Sequence, residues 1–171
     1  MTILDLKSDE YIPYFKGYID LAVDVELIPG LISGLNTNLD FYKSIEDSKL
    51  DYRYTKGKWS IKEIISHLID TERIFCYRAL RFARQDKTTL LGFNENDYVD
   101  VSNASNRSLD SLLKEYESVR QATLTLFKSF DNQTLKSKGI AGAGEVSVRA
   151  LGFLIIGHEI HHNNVIRRLY L

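Results

Sequence analysis

Apolar positions along this chain recur at steps of three and four in four separate stretches, and each such stretch predicts an amphipathic helix. The last is the cleanest: Val148, Leu151, Ile155, His158, His162, Val165 and Leu169 alternate by three and four without a miss, as does the seam of a helix packed in a bundle. A second stripe runs through Ile61, Ile65, Leu68, Phe75, Ala79 and Phe82. It is announced by Ser60-Ile61-Lys62-Glu63, the spacing at which a serine hydroxyl and a glutamate side chain each satisfy a free backbone N–H. A third joins Leu109, Leu113, Tyr116, Leu124 and Phe127, with Arg120 inside it. The first joins Ile28, Ile32, Leu35, Leu39 and Tyr42; Pro29 suits its first turn, while Gly30 and Gly34 weaken it by about 1 kcal/mol each relative to alanine. The predicted helices span roughly 29–46, 60–85, 108–130 and 146–168. No strand pattern competes with them, so the expectation is an all-α four-helix bundle, one domain over residues 1–171.

Segment 87–107, "KTTLLGFNENDYVDVSNASNR", has turn formers and no helical period. It reads as a long connection, of the kind that is functional or partly structured. "KGIAGAGE" at 138–145 lacks the spacing and the lysine of a phosphate-binding loop and reads as a flexible connection. The region before Pro29, "YIPYFKGYIDLAV", has no readable role.

Composition narrows the class. At 171 residues the chain is long enough to bury a sizeable core unaided, and 44% apolar with 26% charged residues is an ordinary globular balance. A formal net charge of −1 provides no field for phosphate backbones and disfavours a nucleic-acid partner. A single cysteine, Cys76, excludes an internal disulfide and is expected to be a small buried hydrophobe. No apolar run is long enough to cross a bilayer, and the N-terminal stretch lacks a signal-peptide pattern, so no membrane association and a cytoplasmic location are expected.

Three of the four histidines fall in "GHEIHHNNVI", residues 157–166. His158 and His162 occupy seam positions where leucine is expected, and an unsatisfied buried imidazole costs on the order of 1–3 kcal/mol. Four residues apart, they emerge on one face with Cβ atoms roughly 5–6 Å apart, close enough for one ion to bridge. The embedded H-E-x-x-H suggests a zinc protease, but the nine residues after His162 contain no third ligand, and Glu159 lies about 100° round the helix, off the seam. The better third ligand is His67, on the flank of the second helix. With His158 and His162 it gives three neutral donors and one open position, the arrangement of a catalytic metal site. Spacing alone leaves this triad and three separately satisfied core histidines both open. His161 falls outside the seam and reads as a surface or supporting residue. Asp70 and Glu72 are either orienting carboxylates or members of a solvated face or a salt bridge. Arg120 either anchors an anionic ligand or, the better reading, neutralises a buried carboxylate such as Glu72.

The stretch "KWSIKEIISHLIDTERIFCYRALRFARQD" followed by "VSVRALGFLIIGHEIHHNNVIRRLYL" resembles the DinB-like superfamily, including the YfiT-like proteins described as metal-dependent hydrolases. The matching motif is a Trp-Ser helix start, a histidine seven to eight residues on, and a terminal G-H-x-x-H-H; the likeness runs from about residue 25 to the end. It implies a four-helix bundle with a divalent metal, zinc or nickel, on His67, His158 and His162, and a homodimer. It further implies chemistry on a small-molecule thiol or on water: a bacillithiol-type thiol S-transferase, or a hydrolase. A non-catalytic, metal-stabilised module is the alternative. The mouth of such a site is expected from the 87–107 segment and from Tyr11, Tyr14 and Tyr18.

Overall fold

Three of the four long helical stretches begin at a serine whose hydroxyl accepts a backbone N–H: Ser60 from Glu63, Ser108 from Ser111 and Ser147 from Ala150. Such caps contribute about 1 kcal/mol each and fix where the helix starts. The computed structural model describes residues 1–171. Its helices are α1 (Lys16–Ile19), α2 (Leu27–Lys43), α3 (Asp47–Leu50), α4 (Ile61–Ala83), α5 (Glu95–Val101), α6 (Leu109–Lys128) and α7 (Val148–Leu169). The long helices α2, α4, α6 and α7 form a four-helix bundle in which α2 and α4 each pack against both α6 and α7.

Two expectations from the pattern need correction. The 138–145 segment is not a flexible connection. Strands β1 (Lys138–Ala141) and β2 (Gly144–Ser147) pair antiparallel, from Lys138 opposite Ser147 to Ala141 opposite Gly144. Gly142, at φ +61°, takes the first central position of the two-residue turn, where a hairpin needs a positive φ that glycine adopts without strain. The 87–107 segment is partly structured, as expected: it carries α5 and hydrogen-bonds to the hairpin through Leu90, whose N–H donates to Ile140 and whose carbonyl accepts from Gly142.

The second correction concerns the buried faces. In α2 the buried positions are Leu27, Gly30, Leu31, Leu35, Asn38 and Tyr42; Ile28 is only partly buried and Ile32 is exposed. The face is rotated because a polar residue, Asn38, belongs to the core. In α4, α6 and α7 the apolar stripe is interrupted at one level, by Glu72, Arg120 and Glu159. Below it lies a body built on Leu35, Ile61, Ile65, Leu112 and Ile166, and above it one built on Leu31, Phe75, Phe82, Phe127 and Phe153.

The N-terminal segment packs on α7. Glu10 forms a buried ion pair with Arg149 (Nε to Oε2 2.7 Å), and its carbonyl accepts from Ser147 N–H. Gly157 permits the closest approach: a Cβ there would stand 1.9 Å from the carbonyl oxygen of Tyr18.

Candidate metal centre

The interruption between the two apolar bodies is a layer of polar side chains, each held by the next. Arg120 of α6 donates from Nε and Nη2 to the two carboxylate oxygens of Glu72 on α4, at 2.8 and 2.9 Å. It also donates to Glu159 of α7 at 2.9 Å and to the Leu31 carbonyl of α2 at 3.1 Å. Tyr116 donates to Glu159 and accepts from Asn38; Asn163 donates to Asn38 at 2.7 Å and accepts from Tyr42 at 2.8 Å. Burial opposes the charge on Arg120, but Glu159 and Glu72 outweigh it and raise its pKa well above the ordinary value. Burial first, and then Glu72, raise the Glu159 carboxyl despite Arg120 beside it. Arg120 thus neutralises Glu72, in agreement with the sequence reading.

The expectation that Glu159 leans away from the seam is overturned. Glu159 and Asn163 lie in the core with Ile166, while His158 and His162 line its rim and are only partly buried. The polar layer claims the inward positions and turns the histidines toward a cavity. Glu159 therefore has no freedom to act as a protease base. Asp70 pairs with Arg73 at 3.7 Å and stays away from the histidines, and the Cys76 thiol meets Thr123 at 3.1 Å, with burial pushing its pKa up to about 12.

His67, buried on α4, faces the α7 pair. Its Nε2 lies 3.1 Å from Nε2 of His158, which lies 3.1 Å from Nε2 of His162, and the three donor atoms fall within 4.8 Å of one another. Thr71 Oγ1 meets His67 Nδ1 at 3.4 Å, one turn along α4. His162 Nδ1 is sealed off without a partner, so only Nε2 of that ring is available to chemistry. Trp59 stacks beside His162 (centroids 6.3 Å, 24°) and tilts over His67 (4.7 Å). Tyr18 meets His158 edge-on at 5.4 Å and His161 at 5.2 Å; His161 stands outside the converging group. The approach of α1 to Gly157 puts Tyr18 there.

Burial holds all three imidazoles neutral. It lowers His67 to about 4 and, with His67 and His161 adding repulsion, His162 to about 3; His158 falls well below its usual value, from burial and then its histidine neighbours. Three neutral rings with their Nε2 atoms gathered suit a cation better than one another, since each N···N contact can use only one proton. At about 2.0–2.1 Å per zinc–nitrogen bond, ligand nitrogens stand somewhat over 3 Å apart, so the donor set fits a divalent ion.

The shifts also fix a pH dependence of the metal-free protein. The unfolded chain takes up protons near 6.5 and the folded histidines only near 4 or below, so the unfolded state binds more protons throughout that window. The histidines' contribution is full above pH 6.5 and is lost as pH falls toward 4, at up to about 1.4 kcal/mol per pH unit for each. Chemical denaturation of chelator-treated protein between pH 7.5 and 4 is the check, and His67→Gln should flatten the slope.

A cavity of about 500 Å³ opens over the rings, within the range of small-molecule sites. Its walls come from the N-terminal segment (Tyr14, Phe15, Tyr18), from the 87–107 segment (Gly92, Phe93, Glu95) and from the hairpin turn (Ala141, Gly142, Ala143). Tyr11 lies outside it. The hairpin's part was invisible in the sequence because its turn read as slack chain. A second void, of about 10 Å³, separates His158 from Glu72, Arg120 and Glu159.

A helical bundle whose polar layer presents three neutral imidazoles to an aromatic cavity defines a protein with a metal-competent centre. The chain belongs to the DinB superfamily, whose family model matches residues 35–166. It is 23% identical over 121 residues to the protein named "Putative metal-dependent hydrolase" of Oceanobacillus iheyensis, covering 70% of this chain and 69% of that one. It is likewise 23% identical over 142 residues to a protein of the same name from Geobacillus kaustophilus, covering 81% and 77%. Its fold is similar to that of YfiT from Bacillus subtilis, described as a probable metal-dependent hydrolase with an unusual four-helix bundle topology (TM-score 0.72, 16% identity, 96% of this chain and 91% of that one). A mycothiol-dependent maleylpyruvate isomerase shares the fold at TM-score 0.65 and 12% identity, over 96% of this chain and 62% of the isomerase. No helix is long and apolar enough to cross a membrane.

Proposed function

We propose that this protein is a metal-dependent enzyme in which His67, His158 and His162 hold a divalent ion, zinc or nickel, and that it transfers groups to a small-molecule thiol, with hydrolysis by water as the second reading. One observation carries this: the three donor nitrogens lie on the floor of a cavity of about 500 Å³, with no fourth acidic, thiol or imidazole side chain closing the group. A structural site takes four protein ligands, whereas a catalytic one keeps a position open. A divalent ion there would supply Lewis acidity, drawing a thiol or a water molecule toward its conjugate base near neutral pH.

The protein's own residues do the rest. Trp59, Phe75 and Tyr18 form an apolar collar that excludes bulk water and strengthens every charge interaction inside it. Thr71, which meets His67 Nδ1, fixes the ring that presents Nε2 to the centre. The names of the curated relatives and of YfiT support metal dependence and the hydrolytic reading, and the fold shared with a mycothiol-dependent isomerase supports the thiol reading. A homodimer working in the cytoplasm completes the proposal, and light scattering at twice the monomer mass would support that part.

The test is a screen of zinc- and nickel-loaded protein with cysteine, glutathione and bacillithiol against a chromogenic electrophile, with activated esters alongside. Metal-dependent thiol conjugation above the uncatalysed rate is expected, and it should vanish in His158→Ala. Turnover of esters alone would favour hydrolysis. Metal-dependent stabilisation with no turnover in either arm would favour a structural module.

A further inference from the structure

Three arginines are buried in this protein: Arg78, Arg120 and Arg149, at 7%, 1% and 4% exposure. Arg120 holds Glu72 and Glu159, and Arg149 holds Glu10. Arg78 holds no carboxylate at all. Its one hydrogen bond runs from Nη2 to the carbonyl of Leu91, at 3.1 Å, and its guanidinium rests by the ring of Phe93 at 5.9 Å. A neutral carbonyl and an aromatic ring leave the guanidinium without a counter-ion in the protein, whereas the other two buried arginines are paired. Burial is accordingly the only influence on its pKa, and it lowers it.

Arg78 lines the cavity over the histidines. Nε and Nη1 find no acceptor in the protein, yet neither is sealed from solvent. Five N–H groups in a planar fork, with one spent on Leu91, leave an edge for a second acceptor of carboxylate geometry. The only acid on the cavity wall, Glu95, has no influence on the Arg78 charge. On α4, His67, Thr71, Phe75 and Arg78 succeed one another at steps of four, four and three, so they share a face. The Cα atoms of His67 and Arg78 are about 16 Å apart along the axis, and helical side chains lean toward the N-terminus, so Arg78 leans back toward the histidines.

We infer that Arg78 is the anion-binding end of the substrate site, and that the ligand is an elongated molecule with a carboxylate at one end, an apolar middle and a metal-seeking group at the other. The metal-seeking end rests on the function proposed above; the carboxylate end does not. The apolar middle lies against Phe15, Phe75 and Phe93. Arg78 sets which molecules are accepted and takes no part in bond making.

The chain's single tryptophan, Trp59, lines the same cavity and reports occupancy by fluorescence, with calorimetry as the second readout. The probes are 8-mercaptooctanoate against 8-mercaptooctanamide on zinc-loaded protein, and octanoate against octanamide on both loaded and metal-free protein. Each acid is expected to bind at least about ten-fold more tightly than its amide, because a charged donor left unpaired by the amide penalises it. Arg78→Met should abolish that preference while leaving amide affinity within about two-fold, and Arg78→Lys should keep part of it.

Equal affinity of acid and amide in the wild type, in both probe pairs, would overturn the inference, and it needs no variant to fold. If the mercapto compounds gain nothing from the metal but octanoate still outbinds octanamide through Arg78, the subsite stands and the thiol reading falls. A preference that survives unchanged in a folded Arg78→Met places the anion elsewhere and overturns the assignment.

Discussion

Replacing Arg120 by methionine is expected to lower the stability of the fold by about 3–5 kcal/mol, the loss typical of breaking a buried ion pair from one side. The side chain is 1% exposed and is the only positive charge facing Glu72 and Glu159, which are 4% exposed each. Methionine fills much of the volume but leaves two carboxylates close together without a counter-ion. For a chain of this length each kcal/mol shifts the melting temperature by about 2–4 °C, so a fall on the order of 6–20 °C should appear in a thermal scan. The sign of the pH dependence separates this cause from lost packing. Uncompensated buried carboxyls have folded pKa values above their unfolded ones, so their folded state binds more protons. The deficit relative to wild type should then shrink as pH falls from 8 toward 5. Adding Glu72→Gln and Glu159→Gln to Arg120→Met should recover much of the loss. A deficit under about 1 kcal/mol at pH 8 would mean the layer is wet and the charges are screened.

The second large effect concerns the imidazoles. Wild-type protein equilibrated with zinc or nickel and then desalted should retain one ion per chain. His158→Ala should weaken retention by at least about 100-fold, because even a partner one step removed from the ion costs about 10–100-fold. His158 is the choice because its Nε2 is the shared neighbour, 3.1 Å from both His67 and His162. Where free ion exceeds its dissociation constant by 100-fold, binding adds about 2.7 kcal/mol to stability, so chelation should lower the wild-type melting temperature by about 5–11 °C. It should leave His158→Ala unmoved. His161→Ala, whose ring lies outside the group, should behave as wild type. Equal metal content in wild type and His158→Ala would remove the three-histidine site from consideration.

The bundle was legible in the sequence because helices with one apolar face write their period into it. His67, His158 and His162 were legible for a related reason: two interrupt a clean seam and the third sits on the flank of the helix named by the other half of the same motif. What stayed hidden was whatever breaks a period for the sake of a distant partner. Asn38, Glu159 and Asn163 are core residues, yet each looks like a surface residue until Tyr116, Arg120 and Tyr42 are placed beside it. The hairpin escaped because strands of four residues, with Gly139 and Gly144 among them, are too short to show alternation. The N-terminal segment was unreadable because its place depends on Gly157 and Arg149, more than a hundred residues away. Arg78 carries no local signal; its meaning lies in the carboxylate that no other part of the chain supplies.

The contact at Gly157 has a mechanical corollary. Tyr18 and the other N-terminal residues over the rings, Ile12, Tyr14 and Phe15, ride on the segment that this contact seats against α7. One bare Cα is thus the mooring between this part of the roof and the reactive floor: a side chain at 157 would drive the Tyr18 carbonyl outward and lift the Tyr18 ring from His158.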